Sequence, residues 1–154
     1  MSDESGPDGL FVYGTLRFPE VLEALLGRVP RLSPARVRGW SVRALAGEVY
    51  PGMVAEPGAA AEGVLIIGLD PAERDLLDAF EGEPYEVVAV PLDGGGEARA
   101  YAWTGPTEPH AWDVEHFAEH DLPEFAGSCR EWREWRECQE WAAAGGGPPE
   151  AADS

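Results

Sequence analysis

The sequence predicts an α+β domain: short strands with short helices inserted, followed by a helical C-terminal extension. Three observations lead there. Short apolar runs bounded by Gly and Pro recur between Leu10 and Thr104. A well-signalled helix start at Asp70-Pro71 falls among them. From about residue 112 onward, apolar residues return every three or four positions, the period of a helix face. A length of 154 residues suits one domain.

The elements follow in order. Leu10-Phe11-Val12-Tyr13 reads as a short buried strand, and Gly14-Thr15-Leu16-Arg17 as the loop after it. Pro19 opens a short helix through Leu26, with Gly27 as its stop signal. Residues 35–47 read as a strand with an irregular centre at Gly39. Tyr50 to Val54 is a turn into another short strand, whose Pro51 suggests an edge or a bulge. Glu62 to Leu69 is nearly all apolar and reads as a strand buried on both sides. Asp70 then caps a helix with Pro71 at its first position and Glu73 placed for a capping box. Leu76, Leu77 and Phe80 form its stripe, and Gly82 and Pro84 end it. Two strands, Tyr85–Leu92 and Ala98–Thr104, flank a hairpin turn at Asp93-Gly94-Gly95-Gly96. Helices are expected at about 112–120 and 123–141. Residues 1–8 and 143–154 are too poor in apolar side chains to offset their ordering entropy and are expected to be disordered tails. The folded domain is then 9–142.

Charge excludes several functions. The chain has 29 acidic residues against 11 Arg and no Lys, a net charge of −18. Phosphate neutralisation needs clustered basic residues, so neither nucleic acid nor an anionic membrane surface is expected as a partner. No apolar run approaches the about 20 residues of a membrane span. The acidic N-terminal residues lack the basic start of a signal peptide. Cys129 and Cys138 lie on one predicted helix, about 13.5 Å apart along its axis, and cannot pair while it is intact. Two unpaired cysteines suit a reducing cytoplasm.

Few residues carry chemical signals. Tyr13-Gly14-Thr15-Leu16-Arg17 takes a strand into a Gly-containing loop whose N–H groups could converge on a carboxylate or phosphate. The same pattern also fits an ordinary strand-to-helix turn. Glu81 ends the capped helix, where the helix dipole is negative, and follows Phe80, so it could be partly desolvated. Both effects raise a carboxyl pKa toward that of a general base at neutral pH. Equally, it is one solvated acid among 29. His116-Phe117-Ala118-Glu119-His120 matches an H-x-x-E-H zinc pattern, but a third protein ligand is wanting, and a solvated helix face is the expectation. No metal and no cofactor are expected. Cys129 reads as a small core residue. Trp132 and Trp135 are expected to pack the extension against the sheet, with a homodimer surface as the alternative.

In combination the two motifs say more. Tyr13-Gly14-Thr15-Leu16-Arg17, then Asp78-Ala79-Phe80-Glu81-Gly82 about 65 residues later, then Tyr85, resemble the γ-glutamylcyclotransferase-like superfamily. Tyr50-Pro51-Gly52-Met53-Val54, Glu62-Gly63, the Asp70 helix and Ala100-Tyr101-Ala102-Trp103 extend the resemblance. The segment from Trp112 to Trp135 looks like the extension of the branch typified by plant avirulence-induced proteins. The resemblance covers about residues 9–136. It implies a small, partly closed mixed β-barrel with helices around it and a cavity at its mouth. It also implies that Tyr13, Gly14, Thr15 and Leu16 hold a γ-glutamyl group, with Arg17 and Tyr85 in support. Glu81 is the implied acid and base, releasing 5-oxoproline and a free amine. The family often has an Arg soon after the second Tyr; here the run is Tyr85-Glu86-Val87-Val88, which changes the local charge. A non-catalytic relative, working as a binding or interaction module, is the alternative.

Overall fold

The computed structural model describes residues 9–81 and 85–143. The tails expected at 1–8 and 143–154 fall outside those residues, except that Ala143 closes the last helix. The elements are β1 (Leu10–Val12), a 3₁₀ turn (Thr15–Arg17), α1 (Pro19–Leu26), β2 (Arg31–Ala44), β3 (Pro51–Ile67) and α2 (Pro71–Glu81). They continue with β4 (Tyr85–Pro91), β5 (Glu97–Trp103), α3 (Val114–His116), a π-helical turn (Phe117–Asp121) and α4 (Leu122–Ala143). None of the described helices is long and apolar enough to cross a membrane.

Five strands form one sheet in the order β2-β3-β1-β5-β4. The short β1 lies at its centre, antiparallel to β3 and parallel to β5. Successive side chains on a strand point to opposite faces. Leu10 and Val12 therefore join a core with α1, Leu77, Phe117 and Cys129, whereas Phe11 and Tyr13 pack with Val37, Met53 and Val90. On this second face the sheet curls over its own side chains. It does not close into the barrel that the resemblance implies. Its edge strands meet at the single Val37–Leu92 bridge, supported by the Asp93 N–H donating to Arg36 O at 2.7 Å. A closed barrel needs a continuous ladder there.

Two stretches expected as separate strands, 50–54 and 62–69, are one continuous β3 paired with β2. The interruption between them is a bulge. Arg38 faces Ala60 and Trp40 faces Ala55, so Gly39 stands opposite residues 56–59. Gly39 and Gly58 adopt φ of 88° and 89° there, a region in which L side chains are strained. The capping box of α2 forms as predicted: Glu73 N–H donates to Asp70 Oδ1 at 2.8 Å and Asp70 N–H to Glu73 Oε1 at 3.1 Å. The Gly-rich turn at 93–96 joins β4 and β5.

The C-terminal extension differs from expectation in two ways. Residues 111–113 are not helical; Trp112 N–H donates to Val42 O at 3.2 Å, binding this segment to the end of β2. Moreover, α4 packs chiefly on α1 and on Phe80 of α2. Trp132 lies 5.2 Å from the Phe80 ring, whereas Trp135 is 58% exposed.

Close packing around β1 gives a paired prediction. A Cβ on Gly63 would sit 2.2 Å from the Val12 carbonyl oxygen, which is backbone and cannot yield. We expect Gly63→Ala to cost about 2 kcal/mol or more, as overpacking does. A Cβ on Gly127 in α4 meets nothing within 4 Å, so Gly127→Ala should stabilise by about 0.5 kcal/mol or more through helix propensity. Urea denaturation of both variants checks the contrast.

Candidate active site

The end of β1 delivers Tyr13. Its ring is buried and its hydroxyl donates to the Tyr101 carbonyl at 2.5 Å, tying the strand's exit to β5. Gly14 follows because the chain presses on Pro51 here: a Cβ would lie 2.7 Å from Pro51 Cγ. Thr15 to Arg17 then form the 3₁₀ turn, closed by Arg17 N–H donating to Gly14 O at 3.1 Å. The first N–H groups of such a turn, those of Thr15 and Leu16, have no intrahelical acceptor.

The end of α2 delivers Glu81. Four residues further, Tyr85 opens β4; its hydroxyl donates to Pro51 O at 2.7 Å and its ring meets Trp103 edge-on at 5.0 Å. These segments surround a cavity of about 280 Å³. Tyr13, Gly14, Thr15, Leu16, Glu81 and Tyr85 all line it. Residues more than 60 positions apart thus converge on one space, which no single motif required. Arg17 does not line the cavity.

Glu81 is half-buried, because solvent reaches it through the cavity it lines. Among the described residues no side chain or N–H donates to its carboxyl. Desolvation, and secondarily the negative charge of Asp78, push its pKa up from the ordinary carboxylate range to about 8. The surrounding phenols are raised as well. For Tyr13 burial is the larger cause and the Glu81 charge the next. Tyr85 and Tyr101 follow the same order of burial first, with the Tyr101 hydroxyl also donating to Asp78 Oδ1 at 2.6 Å. All three stay neutral phenols at physiological pH, so Glu81 is the group in the cavity able to exchange a proton there.

Sequence reasoning missed Tyr50, Tyr101, Trp103 and Phe125, which also line the cavity, and Asp78 as a source of the Glu81 shift. Two signals were available. Asp78 and Glu81 are three apart on a helix and so neighbours on its surface. Tyr101 and Trp103 alternate on one strand and so share a face. Phe125 carried no such signal, because its place depends on how α4 docks.

The other candidates lie elsewhere. His116 and His120 stack at 4.4 Å on the α3 and π-helical turns. Among the described residues, no group of three or more His, Cys, Asp or Glu side chains is gathered as metal ligands would be. Cys129 and Cys138 are both free. Burial, and then the charge of Glu81, push the Cys129 thiol up to about 12, so it is not a thiolate nucleophile.

Residues 10–121 match the family model described as gamma-glutamyl cyclotransferase, AIG2-like. The chain belongs to that family. The match runs from β1 into the π-helical turn and so spans every cavity-lining residue except Phe125. Within the family it is similar to AIG2-like protein C of Arabidopsis thaliana, with 32% identity over 139 residues, covering 85% of this chain and 81% of the relative. A solution structure of another Arabidopsis thaliana protein superposes with a TM-score of 0.62 at 29% identity over 88% of each chain. A structure named gamma-glutamyl cyclotransferase shares the fold, with a TM-score of 0.53 at 19% identity, over 79% of this chain and 85% of that one.

The raised Glu81 pKa has a consequence for stability. Between about pH 4.5 and about pH 8 the folded state keeps a proton that the unfolded state has lost. The folded state is therefore favoured by this group below pH 4.5, and that advantage is lost as pH rises through 8. A glutamine cannot ionise. We expect Glu81→Gln to match wild type near pH 4.5 and to exceed it at pH 8 by on the order of 3 kcal/mol, discounted for the solvent in the cavity. Denaturation across that range checks it; a pH-independent difference contradicts it.

Proposed function

We propose that this protein cyclises a γ-glutamyl amide, releasing 5-oxoproline and a free amine. The observation that carries the reading is the Glu81 carboxyl, without a hydrogen-bond donor among the described residues, lining one cavity with the Tyr13–Leu16 loop. Family membership supports the same reaction class.

In such a substrate the α-amine and the side-chain carbonyl belong to one molecule. Holding it folded brings nucleophile to electrophile and removes a large part of the barrier by proximity. The N–H groups of Thr15 and Leu16 receive the substrate's anionic oxygens, the α-carboxylate or the oxyanion that forms at the carbonyl. Tyr13 and Tyr85 act as walls, since their hydroxyls are already given to main-chain carbonyls.

Glu81 performs the proton transfers. Free, it is largely protonated at neutral pH. A substrate α-ammonium beside it supplies the missing counter-charge and favours the carboxylate. The carboxylate takes one proton from the ammonium, and the freed amine attacks the carbonyl carbon. As the C–N bond to the leaving group breaks, the carboxylic acid gives that proton to the departing nitrogen, and the carboxylate relays the ring nitrogen's second proton to the same amine, which leaves as an ammonium. The five-membered lactam leaves, and Glu81 ends as it began. A reducing cytoplasm suits this protein, since Cys129 and Cys138 are free thiols.

The test is 5-oxoproline release from a panel of γ-glutamyl amines and amino acids. Wild type should turn over at least one, and Glu81→Gln should lose about a hundredfold or more in kcat. Wild-type kcat/KM should rise with pH as free Glu81 ionises, toward about pH 8. Full activity in Glu81→Gln overturns the mechanism. No turnover across the panel favours a binding role for the same cavity.

A further inference from the structure

Tyr101 stands between the two halves of the site. It is buried in β5, which pairs with β1 on one side and β4 on the other. Its two oxygens are engaged by different elements. The carbonyl accepts from the Tyr13 hydroxyl, beside the loop that carries the Thr15 and Leu16 N–H groups. The hydroxyl donates to Asp78 Oδ1 at 2.6 Å, on α2. Asp78 and Glu81 are three apart and so neighbours on the helix surface.

The far end of α2 has little else to direct it. Its beginning is fixed by the capping box and by Arg28, which donates twice to Glu73 at 2.7 Å. Leu77 and Phe80 pack against the core, but apolar attraction is non-directional. Among the described residues, the Tyr101–Asp78 bond is the only hydrogen bond from residues 75–81 to another element.

Asp78 does not require this bond, because its carboxylate is exposed and water would serve it. Nor does the core require a hydroxyl at 101, where a phenylalanine would fill the same space with nothing to satisfy. What the hydroxyl adds is a fixed distance. We propose that Tyr101 is a positioning residue, which holds the Glu81 carboxyl at a set separation from the Tyr13–Leu16 loop through its carbonyl on one side and its hydroxyl on the other. It touches no reacting atom in this role. Attack within one folded substrate depends on such separations, and a displacement of about 1 Å costs about a hundredfold in rate. The kinetic consequence rests on the cyclotransferase reading above; the mechanical one does not.

Three variants test it. Tyr101→Phe keeps the ring and the main-chain carbonyl and removes the tie. Asp78→Ala removes the tie from the other end, together with the charge. Asp78→Asn removes the charge but keeps an oxygen that can accept. Hydrogen exchange reads the tie without substrate: in Tyr101→Phe the amides of residues 78–81 should exchange about tenfold faster relative to those of β1. On a γ-glutamyl amide that wild type turns over, Tyr101→Phe and Asp78→Ala should lose about tenfold or more in kcat, with KM within about threefold. Asp78→Asn should lose about threefold less than Asp78→Ala, because the tie survives in it. Should Tyr101→Phe fail to fold, the two Asp78 variants, changed at an exposed position, carry the same test. Wild-type kcat in Tyr101→Phe, a loss confined to KM, or equal losses in both Asp78 variants overturns the positioning role and leaves the cyclotransferase reading standing. No turnover by wild type overturns that reading, and exchange then decides: faster exchange at 78–81 supports the tie, and exchange equal to wild type overturns it.

Discussion

A carboxylate withdrawn from water with no cation beside it is costly until it is protonated or paired. The site is arranged around that constraint at Glu81. Each nearby phenol that could have donated to the carboxyl is committed elsewhere: Tyr13 to the Tyr101 carbonyl, Tyr50 to Glu48, Tyr85 to the Pro51 carbonyl, Tyr101 to Asp78. Asp78, itself held by Tyr101, adds repulsion where a cation would have relieved it. What the fold withholds, a ligand can supply. The same withholding that costs stability is what the proposed reaction would use, because a substrate ammonium would supply the missing counter-charge.

The scaffold maintains this through a small number of rigid connections. β1 has three residues, yet it lies between β3 and β5 and is buried completely or nearly so. Its exit is therefore fixed, and with it the Tyr13–Leu16 loop. Gly63 and Gly14 let main chain approach where a side chain would not fit, against Val12 and Pro51 respectively. On the opposite wall the Asp70–Glu73 box fixes where α2 begins, and the Phe80 contact with Trp132 fixes its far end against α4. The Tyr13–Leu16 loop and Glu81 are held on different elements, and the sheet order brings those elements to one place.

Much of this was legible in the sequence, for local reasons. Asp70, Pro71 and Glu73 act within one turn, so the capped helix could be read without its neighbours. Gly94 to Gly96 could be read the same way: all three take positive φ in the turn. The direction of the Glu81 shift followed from its place after Phe80, although Asp78 contributes and was not foreseen. What escaped depends on partners remote in the chain. Pro57 and Gly58 interrupt the strand pattern of 51–67, but β2 pairs on both sides of them and carries one strand through a bulge. Trp112 looked helical, yet its N–H is taken by Val42. The aromatic wall of the cavity likewise comes from four separate stretches of chain. Arg17 shares a motif with the loop, but the 3₁₀ turn carries it outside the lining.

The central claim is that Glu81 is a carboxyl kept unpaired for a ligand, and its own titration tests this most directly. Carbon-detected NMR of the Glu81 side-chain carboxyl, assigned by loss of its signal in Glu81→Gln, would follow it from pH 4 to 10 with and without a bound γ-glutamyl amine. The account predicts a midpoint near 8 in the free protein, moving down when the ammonium binds. A midpoint in the ordinary carboxylate range, unmoved by the ligand, would contradict it.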